Sequence, residues 1–185
     1  MLFILFLTFL SSTTVLTQTI ESYIHVTLES EFAFQPANNI ELLQSSQILS
    51  IIRCSAACVA NRQCRTFDYD PSSHLCRLFE GSIDTGTIIN GSSKVGNLPL
   101  NVQFFLNIYN ASCSLCVNNR YFVCASDGTC QCPLHTFWNG TICQNQLYQG
   151  SSCNMNISCR NDLGLICTTA NICDIPSNAT TVSFI

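Results

Sequence analysis

A small, disulfide-rich α+β fold is predicted by three features of the sequence. Fourteen of its 185 residues are cysteines. Four of them fall between Cys54 and Cys76 and ten between Cys113 and Cys173, so the chain divides into at least two modules. One short segment with helical periodicity is flanked by β-prone runs. The first module has apolar residues enough for a small core, whereas the second must draw its order from cross-links.

The N-terminus sets the compartment. Residues 1–17 carry no charged side chain, and Leu2 to Leu10 is apolar except for Thr8, too short for a membrane span and suited to a signal peptide cleaved before Gln18. No later stretch reaches the ~20 continuous apolar residues of a span. The mature chain is therefore expected to be secreted and soluble, with its cysteines oxidised in seven disulfides. Sequons at Asn90, Asn110, Asn139, Asn156 and Asn178 fit a glycosylating compartment. A net charge of -4 and seven Lys plus Arg leave no polybasic surface, so nucleic acid is not an expected partner.

In the first module, Tyr23 to Phe34 reads as a strand and its extension. A helix capped by Ser45 or Ser46 follows, with Ile48, Ile51, Ile52, Cys54 and Cys58 on one buried stripe up to about Ala60. Cys64 to Asp70 and Leu75 to Phe79, separated by Pro71, Ser72 and Ser73, read as a hairpin. Two staples from helix to hairpin satisfy the geometry, and the four cysteines allow three pairings. Gly91 to Pro99 is rich in turn formers and marks the module boundary.

The spacing Cys54-x3-Cys58-x5-Cys64, then Phe67 and Tyr69, then Cys76-Arg77-Leu78-Phe79, resembles a PAN/apple domain over residues 18–97. The resemblance implies one helix cradled by a curved antiparallel sheet, with Cys54 bonded to Cys76 and Cys58 to Cys64. The outer bridge of the full apple subtype has no cysteines here.

After a linker at 98–112, Cys113, Cys116, Cys124, Cys130, Cys132 and Cys143 close with Cys-x-Cys and a loop holding Trp138 and Gly140. Residues 113–143 thereby resemble an EGF-like or EB-type module of loops and β-hairpins. That resemblance implies Cys113 with Cys124, Cys116 with Cys130 and Cys132 with Cys143. Residues 144–185 restart a similar spacing that ends early, and two bridges, Cys153 to Cys167 and Cys159 to Cys173, are expected there. Either this fragment stands alone or the chain is part of a longer ectodomain. Cys113, Cys116, Cys130 and Cys132 also have the makings of a zinc knuckle, against which the oxidising compartment argues, so no metal or other cofactor is expected.

No catalytic residue is assigned: His25, His74 and His135 lie apart without evident partners, and no phosphate loop, hydrolase elbow or zincin motif is present. Asp68 and Asp70 lack calcium-loop spacing and read as turn-forming, solubilising groups. The one local charge feature is basic, with Arg53, Arg62, Arg65 and Arg77 close together. If the hairpin alternates regularly, Arg65, Phe67, Tyr69 and Arg77 share a face with Phe79, opposite Cys64 and Cys76. Such a face suits a glycan or an acidic protein; the commoner fate of such aromatics is a second core layer with arginines at its rim. The expected function is extracellular recognition of a protein or carbohydrate by the first module, with Arg65, Phe67, Tyr69 and Arg77 as ligand contacts and the second module as spacer or second contact. The alternative is a secreted inhibitor or toxin-like protein acting on a protease or channel, for which Arg120 and Arg160 are the basic residues in short disulfide loops.

Overall fold

The computed structural model describes residues 27–176. The expected signal peptide 1–17, His25 and the Asn178 sequon lie outside them. Strands β1 (Thr27–Gln35), β2 (Leu42–Gln47), β3 (Thr66–Asp70), β4 (Leu75–Phe79) and β5 (Thr87–Asn97) form one antiparallel sheet in the order β1-β5-β3-β4-β2. The one α-helix among the described residues, α1 (Ile51–Ala60), lies against β3 and β4. The architecture is the small disulfide-rich α+β fold, a helix on a five-stranded sheet followed by cysteine-rich hairpins.

The helix starts later than its periodicity implies. Its cap is Ser50, whose side chain accepts from the backbone N–H of Arg53, not Ser45 or Ser46. Those two residues lie in β2, an unexpected edge strand, opposite Arg77 and Cys76. Their backbone is committed to the β4 ladder, so α1 can begin only once the chain has left it. Cys54 and Cys58 point inward and are fully buried. Ile52, expected on the same stripe, is 77% exposed: two residues before Cys54, it sits about 200° round the helix.

Each face of the sheet buries a different cluster. Phe67, Tyr69, Cys76 and Leu78 pack with Cys54, Cys58, Cys64 and Leu98 on the helix side. Phe34, Phe79 and Val95 form a smaller cluster on the other, with the Phe34 and Phe79 rings 5.0 Å apart, edge to face. Gly96 sits opposite Phe67 in the ladder, where any Cβ would collide with the Phe67 ring. Residues from Gly91 onward, read as a turn-rich boundary, instead complete β5. Pairing with β1 on one side and β3 on the other overrides their weak β propensity.

Cys54–Cys76 ties α1 to β4, and Cys58–Cys64 ties it to the turn before β3, so Cys64 is not on a hairpin arm. Beyond the sheet, the bridges are Cys113–Cys124, Cys116–Cys130, Cys132–Cys143, Cys153–Cys167 and Cys159–Cys173. They surround three minimal hairpins: β6 (Val123–Cys124) with β7 (Cys130–Gln131), β8 (Thr136–Trp138) with β9 (Cys143–Asn145), and β10 (Ile166–Cys167) with β11 (Cys173–Asp174). Residues 98–112 pack at both ends: Leu98 belongs to the helix-side core and Phe105 to the aromatic core of the second half.

Candidate functional site

The four residues expected to make one ligand-binding face are not brought together on one. The hairpin loop spans residues 71–74, so Tyr69 stands opposite Cys76 and Phe67 opposite Leu78. A four-residue loop thus puts Phe67 and Tyr69 on the same face as Cys76, toward the helix, where both are buried. Alternation cannot be counted from Cys64, which lies outside the strand. Arg77 projects from the opposite face, 2.8 Å from Asp68 and over the Phe79 ring at 5.7 Å, with its side chain 33% exposed. Asp68 is accordingly no solubilising group: it is buried, and its Oδ2 also accepts from the Phe34 N–H. Asp70 does shape the turn, accepting from Ser72 and Ser73, and these hydrogen bonds lower its carboxyl to about 2.

Arg65 is turned to the interior of the chain. It is 2% exposed, and its guanidinium lies 5.0 Å from the Tyr121 ring centroid. Desolvation and the neighbouring Arg120 lower it to about 10. Arg120 itself reaches from the second half to the C-terminal end of α1, where its guanidinium donates to the carbonyls of Cys58, Val59, Asn61 and Cys64 at 2.8–3.3 Å. A helix C-terminus presents unpaired carbonyls and partial negative charge, and a planar guanidinium with five donors satisfies both at once. Arg62 returns a bond to the Val117 carbonyl.

A second contact joins three parts of the chain at Glu80. Its carboxylate meets His135 Nδ1 at 2.6 Å, and its backbone carbonyl accepts from Asn145 Nδ2 at 3.0 Å. His135 Nε2 lies 3.4 Å from Asp162, which pairs through both oxygens with Arg160. Arg160 is 2% exposed and donates onward to the Tyr148 hydroxyl. That pairing holds Asp162 below the usual carboxylate range and raises Arg160, while burial pushes Glu41, near Tyr148, above its ordinary value. His135 and His74 therefore do have partners, the latter the Tyr69 hydroxyl at 3.1 Å. Arg120 and Arg160, the basic residues on which the inhibitor reading depended, both face inward.

One open cleft of about 190 Å³ lies in the second half, between residues 105–109 and the β8–β9 turn. Its wall is Tyr109 and Trp138, stacked at 4.4 Å with their planes 5° apart, and Phe105 stands behind Trp138 at 6.4 Å. Asn110 and Asn139, both exposed, directly follow these two aromatics; Asn90 and Asn156 are exposed as well. Neither the aromatic stack nor the arginine latch has a periodicity signal, because each joins residues far apart in sequence. Three sulfurs, Cys153, Cys159 and Cys173, converge within 4.8 Å, yet all are in disulfides and offer no thiolate to a metal.

A family model described as PAN domain matches residues 36–99, the stretch from β2 through the end of β5. The PAN family comprises protein- and carbohydrate-binding modules, not enzymes. No curated protein matches the chain.

Proposed function

We propose that this is a secreted recognition protein that binds a protein or carbohydrate through its PAN-domain half, with the cysteine-rich half docked beside it as a rigid flank. The PAN match over an antiparallel sheet whose helix is held by two disulfides carries this reading. Seven disulfides and an apolar N-terminal run support an oxidising, extracellular destination. The flank is read as an EGF-like or EB-type module, supported by the first-to-third, second-to-fourth and fifth-to-sixth bridging from Cys113 to Cys143.

Burial of Arg65, Phe67 and Tyr69 turns ligand contact over to Arg77 and its exposed neighbours. Arg77 is held by Asp68 and Phe79 in one orientation, which lowers the entropy lost when it meets a partner. The test is the full chain, produced by secreting cells, on arrays of glycans and extracellular proteins. Retention of the chain inside the cell refutes secretion. Binding that weakens at least tenfold in Arg77→Ala supports the assignment to the PAN half; binding indifferent to that change, or none at all, overturns it. Arg120 and Arg160 lie inside the fold, so no structural observation favours the inhibitor reading.

A further inference from the structure

We propose that the cleft walled by Tyr109 and Trp138 is a second binding site, built for an uncharged pyranose ring of a partner glycan. It rests on the recognition reading but lies outside residues 36–99, in the half that reading treats as flank. Three features of the cleft select this ligand class.

The wall is aromatic. Tyr109 and Trp138 stack face against face, 4.4 Å apart with planes 5° apart, so that only the outer faces and edges of the stack are open to a ligand, and Leu106, 50% exposed, adds apolar surface. The C–H face of a pyranose lies against such a surface, while its hydroxyls remain free at the edge. Phe105, itself 1% exposed, packs against Trp138 and helps hold the stack in place.

The rim is polar and neutral. Asn107 and Thr141, both exposed, line the cleft together with Tyr109, whose ring carries a hydroxyl. Amide and hydroxyl groups that both donate and accept match sugar hydroxyls, which do the same. No charged side chain lines the cleft, so a phosphate, sulfate or carboxylate would be desolvated without a counter-ion.

The scale is also that of a single ring. A cleft of about 190 Å³ is below the usual range for drug-sized ligands and has room for one sugar unit. Exposed sequons at Asn110 and Asn139 directly follow its two stacked aromatics. Glycans at these positions would hinder a broad protein interface more than a slender glycan terminus. The Asn139 amide hydrogen-bonds Gln144, and Asn139 is not among the residues lining the cleft. The occupant proposed is a partner's sugar.

Trp138 is the sole tryptophan, so its fluorescence reports this cleft alone. Full-length secreted protein is titrated with glucose, galactose, mannose and N-acetylglucosamine, and with sialic acid as the charged comparison. At least one neutral sugar is expected to produce a saturable change with a dissociation constant on the order of 1 mM. Tyr109→Ala should weaken it at least about tenfold, and Thr141→Val, which keeps the apolar wall and the fold, by several-fold. Arg77→Ala should leave it unchanged, which separates this site from the PAN-half assignment. The proposal is overturned if no neutral sugar gives a saturable change, if sialic acid alone does, or if Thr141→Val and Tyr109→Ala both respond like the parent. A response that appears only after enzymatic removal of the N-glycans assigns the cleft to the chain's own sugar and equally overturns it.

Discussion

The two halves of the chain reach order by different means. From Thr27 to Asn97, five strands of 5 to 11 residues and a ten-residue helix enclose a core stapled by two disulfides. From Cys113 onward, five disulfides hold strands of only two or three residues. Near the C-terminus the buried cluster is Leu165 with Cys153, Cys159 and Cys173, so sulfur itself supplies most of the interior. A ladder that cross-links hold in register differs from a loop cage that has little else to keep it closed.

Removing one bridge from each half should expose this contrast most strongly. By loop entropy, losing Cys54–Cys76 costs ~3.4 kcal/mol and losing Cys159–Cys173 ~3 kcal/mol, either one comparable to a small domain's whole margin. Paired Cys→Ser variants of both should secrete poorly, but hydrogen exchange should separate them. Without Cys54–Cys76, the β3 and β4 amides should keep more protection than their neighbours; without Cys159–Cys173, protection across residues 150–174 should vanish. Equal loss in the two halves would contradict the comparison.

A smaller effect is expected at the joint between them. Arg120→Ala takes the guanidinium from the carbonyls of Cys58, Val59 and Cys64 and leaves that of Asn61 only the Cys64 N–H; it should cost about 2 kcal/mol, with faster exchange at Asn61 and Cys64. Arg120→Lys should recover less than half, because an ammonium cannot span that set of acceptors. Two halves that melt as separate transitions in the parent protein would show that the latch does not couple them.

The least change should come from Glu41→Gln. Folding raises the proton affinity of this carboxyl through burial, so its ionisation opposes the fold: its contribution is favourable at low pH and is lost as pH rises from about 4.5 through the folded titration. Glu41→Gln should therefore flatten the fall in melting temperature over that window. An unchanged slope would place the buried acidic strain elsewhere.

What the sequence discloses follows from how far each contact reaches. The helix and hairpin are legible because their periodicity is local, and the uneven spread of cysteines marks the division into halves. The β1–β5 pairing joins Phe34 to Ile88, and the edge strand β2 is only weakly apolar, so neither leaves a local trace. Counting alternation from Cys64 across the hairpin gave the wrong face, since loop length decides which residues of two arms align. The arginines were legible as a cluster but not by destination. Arg65 and Arg77 are twelve residues apart, yet one lies against Tyr121 and the other against Asp68. A guanidinium's partner is set by tertiary approach, and the nearest sequence signal is the adjacency of Arg120 to Tyr121.

With Arg65, Arg120 and Arg160 drawn inside, Arg53, Arg62, Arg77 and Lys94 are the cations left toward solvent in a chain of net charge -4. The far field of the molecule is thus weakly negative, and it slows diffusional encounter with polyanions such as sulfated chains while leaving neutral partners unaffected. Raising the ionic strength should therefore speed association with an acidic partner, contrary to the behaviour of proteins that capture polyanions through a basic face.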